Sequence, residues 1–183
     1  MKKTTHLSSA LFAILTLCFA GHASAQLSGF EKGPVIKDFG EHAAVPTHTI
    51  SNDAKFSIAF DAVSGAEPGT VNRKFNSLAR FINMHVASGV KKENIQLALI
   101  VHGGAIFDLL NNESFNKKYA VDNPNVALLK ALLENNVRVI LCGQSAAARG
   151  INSSELVNGV EIELSAMSAH ALLQQNGYTL HPS

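Results

Sequence analysis

Residues 137–149 read Val-Arg-Val-Ile-Leu-Cys-Gly-Gln-Ser-Ala-Ala-Ala-Arg, and this stretch decides the fold. The apolar run 137–141 predicts a buried β-strand, and residues 146–149 have the composition of a helix. Cys142 therefore lies where a strand ends and a helix begins, which is where α/β proteins bind ligands. The N–H groups and the positive dipole end of a helix favour a thiolate, so this cysteine is the first candidate for chemistry.

The same alternation continues on both sides of this stretch. Apolar residues recur at helical spacing through 71–86, and the run 95–101 is almost wholly apolar, as in strands of a sheet that is covered on both faces. Further strands are predicted over 56–60, 160–164 and 178–180, and further helices over 105–110, 113–119, 122–134, 144–150 and 165–175. This order predicts an α/β fold with a mostly parallel sheet and helices on both faces.

The first 25 residues have the pattern of an export signal. Two lysines follow Met1, an apolar run covers 11–20, and Ala23-Ser-Ala25 is a small-residue cleavage site. The run is shorter than the ~20 residues that span a bilayer, so we expect cleavage after Ala25. The prediction is a signal peptide over 1–25, an irregular leader over 26–52 and one domain over 53–183. The leader is expected to be flexible or to lie as an arm on a neighbouring molecule.

Composition narrows the classes of function. The formal net charge is +1, and the signal removes two lysines, so no basic cluster remains for nucleic acid. Because the export signal is expected to be cleaved, we predict a periplasmic protein without stable membrane insertion after cleavage. Cys18 also leaves with the signal, and Cys142 alone cannot form an internal disulfide. Stability must then come from the hydrophobic core and from association with further copies.

Three predicted strand ends carry polar or reactive residues. If the second and third strands are neighbours, His102 and Cys142 share one rim, where an imidazole can lower the pKa of a thiol or move its proton. We take both as candidate catalytic residues. The candidate ligand-binding residues beside them are Gly103, Gly104, Gly143, Gln144 and Ser145, because glycines let a ligand approach the backbone closely.

Other titratable residues are expected to have structural roles. Asp61, after the first strand, is interpreted as a turn or cap residue, and His85 and His170 as packing or surface residues of helices. The histidines and the cysteine show none of the H-x-x-x-H, C-x-x-C or H-E-x-x-H spacings of metal sites. No metal and no cofactor are therefore predicted.

Two alternatives remain for this rim. Free cysteine is often an inert core residue, so Cys142 could be buried in a binding protein that catalyses nothing. Residues 143–147 also differ by one position from the G-x-S-x-G motif of serine hydrolases, with Ser145 as nucleophile and the His102-Gly-Gly segment upstream. The chain is short for that fold, and no clear acidic loop precedes a terminal histidine such as His181.

Two segments resemble the DsrE/DsrF-like family. They are Ile100-Val-His-Gly103 and Leu141-Cys-Gly-Gln-Ser-Ala-Ala-Ala-Arg-Gly-Ile151, and the likeness extends over about residues 55–180. The resemblance implies a three-layer α/β/α sandwich with a sheet of about five strands. It also implies assembly into dimers, trimers or hexamers.

In sulfur-relay members of that family, the cysteine at the position of Cys142 carries sulfur as a persulfide. The resemblance thus implies a sulfur carrier or transferase, rather than an enzyme of high turnover. Because the chain has a predicted export signal, a relay through Cys142 would need an exported thiol partner. This sequence departs from the well-understood relay members, because it has an export signal and no second cysteine after Cys18 is removed.

Overall fold

The computed structural model describes residues 29–181, which form a five-stranded parallel sheet with helices on both faces. The strand order is β6-β5-β4-β3-β7. The bounds are β3 Phe56–Ala62, β4 Ile95–Val101, β5 Arg138–Cys142, β6 Glu161–Glu163 and β7 Thr179–Leu180, while β1 Phe30–Glu31 and β2 His42–Ala43 form a separate antiparallel pair. The predicted three-layer α/β/α fold and its parallel sheet are confirmed.

Five α-helices connect the strands. They are α1 Arg73–Ala87, α2 Asn112–Tyr119, α3 Asn125–Glu134, α4 Gly143–Arg149 and α5 Ala166–Gln175, and short 3₁₀ helices cover Lys92–Asn94, Gly103–Leu109 and Ser153–Glu155. Local sequence sets their ends. The Asn72 side chain accepts a hydrogen bond from the N–H of Lys74 and caps α1, and Gly89 follows its end at a positive φ of 93°.

One face of the sheet carries most of the core. Helices α1 and α3 pack there, with Phe75, Leu78 and Leu129 fully buried against Leu97 and Leu99 of β4. Every residue of β4 except Gln96 is buried, because helices cover the sheet on both faces. This is why the sequence of β4 is continuously apolar instead of alternating.

The other face has a smaller core under α5. Ala59, Ala98, Ile100 and Ile140 of the sheet meet Ala166, Ala169 and Leu173 of the helix, and Cys142 completes this cluster. The alanines are small, so the backbone of α5 can lie close to the sheet. Asp61, His102 and Cys142 lie along the carboxyl edge of this face.

The N-terminal segment, residues 29–52, packs on α1 of the same chain. The Asn83 side chain, fully buried, accepts hydrogen bonds from the N–H groups of Val35 and Ile36 at 3.2 and 2.8 Å. Its amide donates to the carbonyl oxygens of Ile36, Phe39 and Gly40 at 2.9, 2.9 and 3.3 Å. One side chain therefore satisfies backbone groups that secondary structure would otherwise pair.

Some predicted boundaries differ from the structure. Strand β3 continues to Ala62, so Asp61 lies inside the strand and pairs with Ile100 instead of forming a turn. The predicted helix over 105–110 is the 3₁₀ helix Gly103–Leu109. The predicted signal peptide lies outside the described residues. None of the helices within residues 29–181 is long and apolar enough to cross a bilayer.

Candidate functional site at the carboxyl edge of the sheet

The register of the three central strands brings their ends together. Ala62 pairs with Val101, and Val101 with Leu141, so these strands end in one row. Residues two apart on a strand point to the same face, and Asp61 follows Ala59 on the face that α5 covers. The same alternation from Ile100 and Ile140 places His102 and Cys142 on that face. His102 thus lies between the other two in strand order.

Cys142 ends β5 and is the N-cap residue of α4. It is a free thiol with an exposed fraction of 6 %, and it pairs with Glu163 of β6. Burial by itself raises the pKa of the thiol, but hydrogen bonds to the sulfur outweigh burial and lower the pKa below its ordinary value of 9.0. The donors are the Ser145 hydroxyl and the backbone N–H groups of Ser145, Ala166 and Gln144.

Gly143 is required by close packing beside the thiol. A Cβ atom at this position would lie 2.7 Å from the carbonyl oxygen of Glu163 and 3.2 Å from that of Leu164. The start of α4 is therefore pressed against the connection from β6 to α5. This approach brings the N–H of Ala166 to the Cys142 sulfur, so the glycine shapes the thiol's surroundings.

Asp61 is the centre of a hydrogen-bonded cluster, which we call the Asp61 cluster, with His102 and His170. Nε2 of His170, from α5, lies 2.7 Å from Oδ1 of Asp61. Nε2 of His102 lies 3.2 Å from both carboxylate oxygens. The interpretation of Asp61 as a turn or cap residue is therefore wrong, and so is that of His170 as a packing or surface residue, because α5 turns its imidazole onto the strand end.

The surroundings of Asp61 keep its carboxylate ionised. Burial raises the pKa of Asp61, but hydrogen bonds from His170 and His102, together with their charge, lower it below its ordinary value of 3.8. By contrast, His85 packs against the rings of Phe56 and Phe81, and burial lowers its pKa. This matches the packing role that the sequence suggests for His85.

The predicted glycine pair lies against the protein's own loop. Gly103 has a positive φ of 59°, and a Cβ there would lie 2.8 Å from the carbonyl oxygen of Val63. A Cβ on Gly65 would likewise lie 2.8 Å from the carbonyl oxygen of Gly104. The close backbone approach that these glycines permit is therefore made by residues 63–65.

A cleft of about 610 Å³ opens at the end of β3, next to this loop. Its walls include Asp61, residues 62–67 and the first residues of α1, among them Arg73 and Lys74. The volume is in the range of small-molecule sites. Asp61 links this cleft to the Asp61 cluster, whereas the sequence predicts ligand binding nearer to Gly103 and Gly143.

The serine-hydrolase alternative finds no support in the surroundings of Ser145. This residue lies in the first turn of α4, where its hydroxyl hydrogen-bonds to Cys142. No histidine within residues 29–181 hydrogen-bonds to that hydroxyl. His181 instead stacks on Phe60 and donates its backbone N–H to the carbonyl oxygen of Ala59.

Across the described part of the chain, no group of three or more histidine, cysteine, aspartate or glutamate side chains is arranged to hold a metal ion. Although Asp61, His102 and His170 meet, both imidazoles direct Nε2 at the carboxylate, which their hydrogen bonds occupy.

The model of the DsrE/DsrF-like family matches residues 55–181. The chain belongs to this family. The match begins just before β3 and includes Cys142, His102 and the whole five-stranded sheet, but it leaves out the N-terminal segment. No curated protein sequence matches the chain.

Two solved structures are similar to this member of the DsrE/DsrF-like family. The protein of unknown function MTH1491 from Methanobacterium thermoautotrophicum has a TM-score of 0.53 at 13 % identity, over 69 % of this chain and 98 % of its own. The ychN protein from E. coli has a TM-score of 0.48 at 23 % identity, over 69 % of this chain and 100 % of its own. The first likeness shows the fold alone.

Sequence reasoning brought together two of the site's residues and missed two. Strand ends predict that His102 and Cys142 share a rim, and the register agrees. His170 is 109 positions from Asp61, and a lone histidine in a helix gives no sign of its partner. For Asp61 a signal did exist, because it follows Phe56-Ser-Ile-Ala-Phe60 in the period of the strand and faces the same way as Ala59.

Proposed function

We propose that this protein carries sulfane sulfur as a persulfide on Cys142. The observation that carries the proposal is a free thiol at the N-cap position of α4, at the edge where α/β sheets bind their ligands, and interaction with Ser145 lowers the pKa of this thiol. The DsrE/DsrF-like family includes sulfur-relay proteins, which makes sulfur the expected cargo. The protein then acts as a carrier or transferase, not as an enzyme of high turnover.

The transfer step needs no oxidant. The Cys142 thiolate attacks the outer sulfur of a low-molecular-weight persulfide, R–S–SH, and a new S–S bond forms as the old one breaks. The products are Cys142–S–SH and the thiolate RS⁻, which takes up the proton that the thiol first released. His102, at the end of the neighbouring strand β4, is the candidate for holding that proton between the two events.

Burial of Cys142 restricts the donor. With an exposed fraction of 6 %, the sulfur can be approached over only a small area, so a compact persulfide should react faster than a bulky one. Delivery to a protein acceptor then requires an exported thiol partner that reaches the same edge. A covered persulfide is also better protected from the oxidising compartment than an exposed one.

Intact-mass spectrometry after exposure to cysteine persulfide tests the carrier function. The wild type should gain the mass of one sulfur atom, lost again on reduction, and Cys142→Ser should gain none. Ser145→Ala is the graded control, because it keeps the thiol but removes the hydroxyl that lowers its pKa, so it should load more slowly at neutral pH. No sulfur adduct on the wild type, or equal adducts on Cys142→Ser, would contradict the proposal.

A non-catalytic binding protein is the second candidate, and two observations favour it. Cys142 is buried, and the cleft of about 610 Å³ at the end of β3 could hold a small ligand without any use of the thiol. A thiol reagent applied to native protein separates the two functions. Labelling of Cys142 within minutes supports the carrier, and labelling only after denaturation supports the binding protein.

Export and self-association are part of the same proposal. The signal-like pattern of residues 1–25 supports a periplasmic site of action, and N-terminal sequencing of exported protein should find Gln26 first. Self-association is supported by apolar side chains that remain exposed near Cys142. Ile162, Leu164 and Met167, at edge strand β6 and the start of α5, are 48, 68 and 80 % exposed.

A further inference from the structure

We infer that Asp61 and His170 are positioning residues for His102, and that the three form one proton-holding cluster beside Cys142. In this cluster, a carboxylate shared by two imidazoles holds His102 ready to take the proton of the thiol. The inference rests on the proposed carrier function and assigns roles to two residues, Asp61 and His170, that the carrier mechanism does not itself require.

The geometry fixes which ring nitrogens carry protons. An ionised carboxylate only accepts hydrogen bonds, so both imidazoles must donate from Nε2, at 2.7 Å for His170 and 3.2 Å for His102. A neutral imidazole that is protonated on Nε2 keeps a lone pair on Nδ1. Nδ1 of His102 has no hydrogen-bond partner among residues 29–181, so it is free to accept a proton.

Protonation of His102 changes the charge of the cluster. With both imidazoles neutral, the cluster carries one negative charge, which Asp61 holds at 24 % side-chain exposure. When His102 accepts a proton the cluster becomes neutral, and the imidazolium keeps an ion pair with the carboxylate. In that ion pair Nε2 of His102 lies 3.2 Å from Oδ2 of Asp61, and both side chains are partly buried.

The sheet places His102 on the strand beside the one that ends in Cys142. His102 and Cys142 directly follow the paired residues Val101 and Leu141, on strands that lie ~4.8 Å apart, and both are on the α5 face. In the step itself the S–H bond of Cys142 breaks and an N–H bond forms on His102. The proton later passes to the thiolate RS⁻ that leaves the persulfide donor, so His102 returns to its neutral form.

His170 has a different role from His102. It makes the shortest bond to Asp61, and its Nδ1 is buried without a hydrogen-bond partner, so it has no route for passing a proton to solvent. It can only hold the carboxylate in place. Anchoring from α5 leaves both carboxylate oxygens within 3.2 Å of Nε2 of His102, which fixes the imidazole ring.

Other titratable groups border the site, and they allow a matched control. Glu163 of β6 pairs with Cys142 from the side opposite to His102, whereas His181 stacks on Phe60 at the other face of the sheet. A carboxylate close to a thiol simply repels the thiolate, so its removal should lower the thiol's pKa. Asp61 should act with the opposite sign, because its effect passes through His102.

Ultraviolet titration of the Cys142 thiolate tests this sign, with the Cys142→Ser signal subtracted from each curve. Asp61→Asn should move the midpoint upward and lower the thiolate fraction at pH 7 by about threefold or more. The reason is that the His102 imidazolium, once it has lost its carboxylate partner, no longer stabilises the thiolate. His102→Gln should do the same. The double variant should match His102→Gln alone within about twofold, because Asp61 acts through His102. Glu163→Gln should move the midpoint down or leave it unchanged.

His170 has its own test by conservative rescue. His170→Leu should shift the thiolate midpoint upward by less than Asp61→Asn does, and His170→Gln, which retains a donor for the carboxylate, should restore most of the shift. Thermal melts of each variant show whether it folds. If His170→Leu folds and the midpoint of its Cys142 thiolate titration is unchanged, the positioning role of His170 is overturned.

The remaining outcomes separate the cluster from the carrier function. A midpoint of Asp61→Asn that is unchanged or lower, or effects of Asp61→Asn and His102→Gln that multiply, would overturn the cluster even if the persulfide forms normally. If no variant and no wild type takes up sulfur from cysteine persulfide, but the titrations follow the expected pattern, the carrier function fails and the cluster stands.

Discussion

The two faces of the sheet are covered by side chains of different size. The α1 and α3 face is packed with large side chains such as Phe60, Phe75 and Leu129, whereas half of the buried residues in the core under α5 are alanines. At the carboxyl edge of the α5 face, the polar residues Asp61 and His102 each lie two positions after a residue of that core. The difference suggests a division of labour, in which one face supplies stability and the other carries the candidate site.

Truncation of core side chains should have the largest effects on stability and should distinguish the two faces. Phe75→Ala on α1 removes a fully buried ring and should cost about 3–5 kcal/mol of unfolding free energy, while the Cys142 thiolate titration of the folded protein stays unchanged. Leu173→Ala on α5 should cost about 2–3 kcal/mol and should shift that titration, because α5 also carries His170.

Urea unfolding measures both losses, and α5 offers a control within the same helix. Leu172 is 47 % exposed, so Leu172→Ala should change the unfolding free energy by only about 0.5 kcal/mol. Equal shifts of the thiol titration in Phe75→Ala and Leu173→Ala would remove the distinction between a supporting face and a site face.

The N-terminal segment should add to the stable face. Asn83→Ala leaves the buried N–H and carbonyl groups of Ile36 without partners, and each such group costs about 1–3 kcal/mol, so we expect a loss of roughly 2–6 kcal/mol. Asn76→Ala is the matched control, since Asn76 accepts a single bond, from the N–H of Gly40 at 2.8 Å, and should cost about 1 kcal/mol. Equal losses would mean that Asn83 does not hold the segment.

The two faces also hold two carboxyl groups with opposite pKa shifts. Burial raises the pKa of Asp108, in the 3₁₀ helix Gly103–Leu109, in spite of hydrogen bonds from the Asn72 side chain and the Ala66 N–H. Hydrogen bonds from His170 and His102 lower the pKa of Asp61 against burial. The protein therefore favours the protonated form of Asp108 and the ionised form of Asp61.

Opposite pH profiles of stability should follow. The stability that depends on Asp108 is fully present below the unfolded pKa, about 3.9, and is lost as pH rises through the raised folded pKa. Both of its hydrogen bonds end on Oδ2, at 2.7 and 3.0 Å, and an amide oxygen can accept them. Asp108→Asn should therefore gain stability over the wild type as pH rises.

Asp61→Asn should behave in the reverse way. Its lowered pKa contributes stability above the unfolded value, and that contribution is lost as pH falls through the folded pKa. The variant should thus be less stable than wild type at pH 7 and converge with it in acid. Urea unfolding at pH 2.5, 4, 6 and 8 gives both curves, because the Asp61 contribution is lost only below the ordinary pKa of 3.8. Curves of the same sign would contradict the assignment.

The contrast between the faces also explains what sequence could predict. Continuous apolar runs predict β4 and β5, and apolar residues at helical spacing predict α1, because burial of these elements produces a pattern within a short stretch of sequence. Cys142 and His102 were found because strand ends are local as well. The Asn83 contacts and the Asp61–His170 bond join positions 47 and 109 residues apart, and a single sequence has no periodic signal for such pairs.

The smallest effect on stability is expected at the apolar residues exposed beside the site. Met167 is 80 % exposed at the start of α5, so Met167→Lys should change the unfolding free energy of the monomer by only about 0.5 kcal/mol. If copies associate through this surface, the same lysine must be desolvated there, and the assembled mass in light scattering should fall. Val45→Lys is the control, because Val45 is 54 % exposed in the N-terminal segment, on the side of α1. A loss of assembly in both variants, or in Val45→Lys alone, would contradict a contact specific to the surface beside Cys142. The apolar side chains exposed at the start of α5 would then not be explained by association of copies.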